Sequence, residues 1–266
     1  MAVLERLLPA WSLLAAALVL TFFLPPLAGT AHSASEVFPF EDGATCLDCH
    51  DDLLAKAQKH AAIEDSDSCI LCHPLADPAQ HTPTRPGKNV AELCAQCHDQ
   101  VVTQGDTHQH PPVEDGECTS CHDPHQSDQA KLLNAAYPAT FYQAYSEAAY
   151  GLCLNCHEAE TFNEPRTETA TAFRNGDLDL HQRHVNKDKG RSCRTCHSPH
   201  SSQQPHLIIS SFLFGERRLG ITYETSDNGG SCVTSCHIKA VYDRLVPVMN
   251  QLRTSPSPGQ DAGPQK

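Results

Sequence analysis

Seven times in this chain a pair of cysteines is followed at once by a histidine. Six pairs have two residues between the thiols: Cys46/Cys49, Cys69/Cys72, Cys94/Cys97, Cys118/Cys121, Cys153/Cys156 and Cys193/Cys196. The seventh, Cys232/Cys236, has three. The histidines are His50, His73, His98, His122, His157, His197 and His237. All 14 cysteines are used, and with only 17 histidines in 266 residues chance does not put one behind every pair. C-x-x-C-H is the attachment signature of c-type haem. Two thiols on one turn reach the two vinyl groups of one porphyrin, and the next imidazole lies under the iron as its proximal ligand.

Two other uses of cysteine compete with this reading. Disulfides are the default in an exported chain, but they require no histidine beside each pair. Structural zinc takes four ligands from two knuckles, without an obligatory histidine after each one. In the seventh motif the extra residue turns the second thiol by about 100° on a helix. A looser turn would restore its reach, and no spare cysteine offers another partner. Seven covalent haems are expected, six on the regular spacing and one on the longer one.

The rest of the composition fits a chain built around a cofactor. There is one Trp, there are nine Phe and two Met, and aromatics make up 6%. After removal of residues 1–31, roughly 34 residues remain for each haem. That is too few to wrap each macrocycle separately, so the porphyrins must pack together and supply most of the apolar interior. Covalent links to the chain then act as staples, as metals do in other core-poor proteins. The expected fold class is a multihaem cytochrome c fold, mostly coil and short α-helices around a packed haem chain, with little β-structure. The formal charge is −13, from 19 basic and 32 acidic residues. A nucleic-acid ligand would need the opposite sign.

Each iron needs a sixth ligand. Haem irons that carry electrons take a second His or a Met. Ten histidines lie outside the motifs, and Met249 is the one methionine beyond the leader. Internal repetition selects among them. His60, His110 and His184 stand eight or nine residues ahead of motifs two, four and six. His125 and His200 close the sequences "CHDPH" and "CHSPH", and His81 closes the longer "CHPLADPAQH". These six are distal candidates, and His206 is the seventh. His32, His108 and His181 are left over. His108 and His181 lie two and three residues from His110 and His184, so either could exchange with its neighbour.

Residues 1–31 read as a secretory signal peptide. A basic residue at Arg6 precedes an apolar run from Leu7 to Leu24, then Pro25 and Pro26, then small residues at 29–31. An uncleaved anchor is the competing reading, since 18 apolar residues can just span a bilayer. Thr30 stands where a lipidated cysteine would be, so no lipid anchor is expected. Residues 32–130 form a four-haem segment and 131–250 a three-haem segment. The tail 251–266 is rich in Pro, Gly, Ser and Gln and is expected to be disordered. A helix is expected over 139–157, where Phe141, Tyr145 and Ala148 share a face. A hairpin is expected within 206–225 around "GERR", and a short helix from Ile238 onward.

At "CTSCHDPH" and "CRTCHSPH" the chain resembles the multihaem c-type cytochromes with doubled C-x-x-C-H motifs, a group described as cytochrome c3-like. The stretch "FRNGDLDLHQRHVNKDKGRSCRTCHSPH" is similar to members found in metal-respiring bacteria. The resemblance covers about 46–245 and implies electron transfer along closely packed, low-potential haems. The expected role is a non-enzymatic electron carrier, in the periplasm or associated with the outer membrane or beyond it. Its partners would be redox proteins, such as a porin–cytochrome complex or a terminal reductase. Two alternatives stand beside it. One is self-assembly as the subunit of an extracellular cytochrome filament. The other is a reductase of a small nitrogen or sulfur compound with an open seventh haem.

Overall fold

The computed structural model describes residues 44–77, 83–84, 86 and 89–251. The signal segment, the tail beyond 251, His32 and His81 lie outside the described residues. All described residues fall in one unit, Phe38–Lys266.

Short elements dominate, because a cysteine pair and its histidine interrupt the chain every few tens of residues. The α-helices are α1 (Cys69–Cys72), α2 (Val90–Ala95), α3 (Pro111–Glu114), α4 (Gly151–Leu154), α5 (Glu160–Asn163) and α6 (Leu180–Val185). Strands β1 (Gln58–Lys59), β2 (His108–Gln109), β3 (Gln126–Ser127), β4 (Arg174–Asn175), β5 (Leu178–Asp179) and β6 (Ser201–Ser202) are two residues each. They pair as β1 with β3, β2 with β6 and β4 with β5, all antiparallel. Among the described residues no helix is long and apolar enough to cross a membrane.

The C-terminal part departs from the expectation of little β-structure. Strands β7 (Ser211–Phe214), β8 (Arg217–Ser226), β9 (Gly229–Thr234) and β10 (His237–Asp243) form an antiparallel meander in the order β10-β9-β8-β7. The expected hairpin is present: Phe214 pairs with Arg217 across a two-residue loop, with Gly215 at φ 59. The helix expected from Ile238 onward is instead strand β10, which pairs with β9 from His237 to Asp243. Its β-branched residues and the buried Tyr242 fit a half-covered strand better than a helix. A Cβ at Gly229 would fall on the carbonyl oxygen of Tyr242, so β9 and β10 pair this closely at their open end only with glycine there.

The helix expected over 139–157 is also corrected. Only Glu147–Tyr150, a 3-10 turn capped by Ser146, and α4 are helical there. Residues 141–143 are claimed by a distant segment. The Ser192 amide donates to the Phe141 carbonyl at 3.0 Å, and the Gln143 amide to the Gly190 carbonyl at 2.9 Å. A backbone paired across the chain cannot close its own helical turns.

The protein's own core is thin. Among the described residues the buried apolar side chains are Ile63, Tyr150, Val185, Phe212, Ile221 and Tyr242. Much else that is buried is polar and sits in the short ribbons: Gln126, Ser127, Ser201 and Ser202. Gln126 bridges by its side chain, accepting from the Lys56 amide at 2.7 Å and donating to the Asp52 carbonyl at 2.7 Å.

Candidate metal centres

Six of the seven motifs are wound as one tight turn. The amide of each motif histidine returns to the carbonyl of the first cysteine: His50 to Cys46 at 3.0 Å, His73 to Cys69 at 2.9 Å and His98 to Cys94 at 2.9 Å. His122 to Cys118 at 3.1 Å, His157 to Cys153 at 2.9 Å and His197 to Cys193 at 2.9 Å repeat it. The turn puts both thiols and the imidazole on one side of the chain. Motif seven is built differently. Cys232 lies in β9, Ser235 and Cys236 form the hairpin loop, and His237 opens β10 opposite Thr234. A register shift between His237 and Ala240 absorbs the extra length.

The rings of five motif histidines face a histidine from elsewhere in the chain. His73 and His125 have centroids 5.9 Å apart, and His98 and His60 are 6.0 Å apart. His157 and His110 are separated by 6.2 Å, His122 and His200 by 6.2 Å, and His197 and His181 by 6.4 Å. Two imidazoles on opposite sides of one metal, with metal–nitrogen bonds of about 2 Å, hold their centroids about 6 Å apart. Rings packed for their own sake prefer offset or edge contacts over a range of separations. Five near-equal spacings, each joining a motif to a non-motif histidine, match a shared metal better.

The short ribbons explain how distant residues reach these positions. Beside the β1·β3 pair the His60 amide donates to the His125 carbonyl at 2.8 Å. Beside β2·β6 the His110 amide donates to the His200 carbonyl at 2.9 Å. Each ribbon thus carries two imidazoles and sends them to two successive motifs: 73 and 98 from the first, 122 and 157 from the second. The repeat read from the sequence is real, but its histidines cross from one unit to the next.

Several rings have a fixed tautomer. A carbonyl can only accept, so the Nδ1 atoms of His73, His122, His197, His184 and His237 carry protons. They donate to the carbonyls of Thr84 at 3.1 Å, Lys131 at 2.9 Å, His206 at 2.9 Å, Leu180 at 2.6 Å and Ile238 at 2.7 Å. That leaves Nε2 bare for a metal, which is the usual outer-shell arrangement. Burial disfavours the charged form of six imidazoles. It lowers His60, His110, His184, His197 and His200, and with His197 and His184 nearby it pushes His181 down to about 3. Neutral imidazole is the ligating form.

Thiols of successive motifs are also neighbours. Burial and the Cys46 thiol raise Cys69, and burial with Cys118 and Cys72 raises Cys94. Cys121 is raised by burial and by Cys153 and Cys156, and Cys193 by its hydrogen bond with Cys153. Burial, then Cys232 and Cys236, push Cys196 up to about 12. The seven attachment points therefore follow one another in space in the order of the sequence.

The first cysteine is half-buried in all seven motifs, but the second is exposed in four: Cys49, Cys97, Cys156 and Cys236. Cys49 and Cys97 show the difference most plainly. Each closes a turn, its amide donating to the carbonyl of Cys46 at 3.4 Å and of Cys94 at 3.1 Å. The first thiols of these turns lie against a neighbouring motif, Cys46 against Cys69 and Cys94 against Cys118.

The other candidates fall as follows. His181, left over in the sequence reading, is the ring opposite His197, and His184 is not. The two are separated by one helical turn, so spacing alone could not choose between them. His206 serves by its backbone. Its carbonyl holds His197 Nδ1, while its exposed ring lies 5.8 Å from Tyr223. It repeats Lys131, whose carbonyl holds His122 in the same way and which shares its positive φ (57° and 64°). That correspondence between "HDPHQSDQAKL" and "HSPHSSQQPHL" is present in the sequence. His108 sits in β2 opposite Ser202. His50 is exposed, and the distal candidate His81 lies outside the described residues.

The donor set fits a haem. Among the described residues no cluster of three or more His, Cys, Asp or Glu could hold a bare ion, and all 14 cysteines are free thiols. What the motifs offer is two thiols for a porphyrin edge and one imidazole for its iron. Such sites define a haem-binding c-type cytochrome, in which the motifs bind haem c covalently. The chain's residues 110–162 and 184–218 match the family described as the doubled CXXCH motif, consistent with a multihaem member of that class. No curated protein and no solved structure matches the chain.

Proposed function

We propose that this protein is an electron carrier that holds seven haems c in a continuous chain, with two histidines on each iron. The observation that carries the reading is the set of five imidazole pairs at 5.9–6.4 Å. The proposed ligand pairs are His73 with His125, His98 with His60, His122 with His200, His157 with His110 and His197 with His181. His81 is still a distal candidate without an assigned motif. The adjacent thiols of successive motifs support a route running in sequence order.

Haem c supplies a reversible ferric–ferrous couple. The chain's residues hold both imidazoles in place through the change of one electron. Burial lowers the basicity of His60, His110, His181, His197 and His200, and backbone carbonyls fix the tautomers of His73, His122 and His197. Two histidines per iron, without a potential-raising methionine, favour low potentials. The excess of acidic residues favours docking to basic surfaces of redox partners, weakened by salt. The chain would be exported to the periplasm or the outer membrane. A porin–cytochrome complex or a terminal reductase would be its partner.

Absorption spectra of the purified protein test this reading. Every haem should be low-spin when oxidised, and carbon monoxide should not bind after reduction. A substantial high-spin fraction with carbon monoxide binding would instead favour a reductase with an open iron. Sedimentation at rising concentration separates a soluble carrier from a filament subunit.

A further inference from the structure

Helix α6 carries two histidines, His181 and His184, three residues apart. At that spacing their side chains diverge by about 60° and rise by about 4.5 Å, so they emerge from one side of the helix toward different places. His181 faces His197 across 6.4 Å, with its Nδ1 2.9 Å from the Thr171 hydroxyl. His184 is bound by its own Nδ1 to the Leu180 carbonyl at 2.6 Å, which leaves Nε2 bare. Nothing described so far uses it.

The surroundings of His184 lead to motif seven. Phe173 packs on His181 at 5.1 Å, on His184 at 5.9 Å and on Tyr242 of β10 at 5.1 Å. The loop after Phe173 is tied to the end of β10. The Gly176 amide donates to the Asp243 carbonyl at 2.7 Å, and the Asp243 amide to Asn175 Oδ1 at 3.2 Å. Strand β10 begins at His237, and β4 contacts it. The Cys196 thiol of motif six has the Cys232 and Cys236 thiols of motif seven as neighbours. His237 is also among the groups that hold His184 low, after burial.

The other described histidines outside the motifs are engaged elsewhere. His60, His110, His125 and His200 face other motifs. The His206 ring lies on Tyr223, and His108 is in the β2·β6 ribbon.

We propose that α6 is a shared clamp for two haems c: His181 completes the site of His197, and His184 completes the site of His237 on the β9–β10 hairpin. The inference rests on the haem reading above. It replaces the two-stranded ribbon of the earlier pairs with a single helical turn. It also closes the seventh site, which the three-residue spacer marks as the one to be open. Asp179, the buried N-cap of α6, accepts from the Gln182 amide at 2.9 Å.

The test uses the exported holoprotein with His184→Ala and His181→Ala. Each change is made alone and with Cys232→Ser/Cys236→Ser, which removes the seventh attachment. Covalent haem is counted by intact mass, and spin state is read by electron paramagnetic resonance. His184→Ala should keep its full haem count and turn one haem high-spin. That signal should vanish in the double-serine background, whereas the signal from His181→Ala should persist. A His184→Ala signal that survives the loss of haem seven, or no signal in the intact protein, overturns the proposal. Absence of covalent haem in the unaltered protein would defeat the haem reading itself. Should the double-serine protein fail to accumulate, haem counting with His237→Ala decides. Combined with His184→Ala it should leave one haem altered or missing, and combined with His181→Ala it should leave two. Two in the first case overturns the clamp.

Discussion

The amide of His60 donates to the carbonyl of His125 at 2.8 Å, yet the two imidazoles serve different motifs: His60 faces His98 and His125 faces His73. The bond places two metal-ready rings back to back on one ribbon. The pairs also differ in geometry. The His60 and His98 planes stand at 71°, whereas the other four pairs lie between 15° and 32°. The electronic anisotropy of a low-spin ferric haem depends on that angle. Among these five sites, paramagnetic resonance of the oxidised protein should show one strongly anisotropic species beside more rhombic ones. His60→Ala should abolish it and His125→Ala should not, each giving one high-spin haem. Loss of the anisotropic signal in His125→Ala instead would contradict the pairing.

Gln126 ties the same ribbon to the turn after the first motif. Gln126→Ala leaves the Lys56 amide and the Asp52 carbonyl without their partner in a half-buried place. The expected loss is about 1–3 kcal/mol of stability. Thermal melting should fall while the oxidised spectrum stays low-spin. An unchanged melting temperature would mean that the ribbon is not fastened by this side chain.

Thr171 is the hydroxyl beside His181 Nδ1, where other rings have carbonyls. An acceptor at Nδ1 raises the basicity of the ligating nitrogen. A more basic ligand favours the ferric state. Thr171→Val keeps the shape and removes the acceptor, so one haem should shift to higher potential with its spin state unchanged. Redox titration followed by absorbance reads this directly, and a shift to lower potential would contradict it.

The His206 ring has no role in any proposed iron site. His206→Ala should leave every haem low-spin. His206→Gly should do so too, and it should melt no lower than His206→Ala, because φ is 57° at this position and glycine takes that conformation without strain. A high-spin haem in either variant would restore the imidazole as a ligand.

The uneven legibility of this chain follows from how far apart its partners lie. The attachment motifs are contiguous, five or six residues each, so their places can be read directly. The contacts between thiols of successive motifs cannot, because Cys46 and Cys69, like Cys94 and Cys118, lie more than twenty residues apart in sequence. Nor can the facing histidines, because His60 and His125 meet through a ribbon whose strands lie nearly 70 residues apart. His181 and His184 are one turn apart in α6, and their directions are fixed by Phe173, by the Thr171 hydroxyl on His181 and by the Leu180 carbonyl on His184. A histidine count misreads His206, since it cannot see that the carbonyl is the group in use. The run from Ile238 has helix-forming Lys, Ala and Leu, but pairing with β9 decides its conformation. Phe141 and Tyr145 have helical spacing, yet the backbone at 141 and 143 is held by Ser192 and Gly190. In the last two cases a long-range backbone bond overrides a local pattern.

The central claim is that the cysteine pairs tether porphyrins that this thin-cored chain requires. Intact mass of the exported, purified protein under denaturing conditions tests it most directly. The account predicts the mass of the mature chain plus seven haems, with no free thiol. A chain carrying no haem, with its cysteines joined as disulfides, would contradict it.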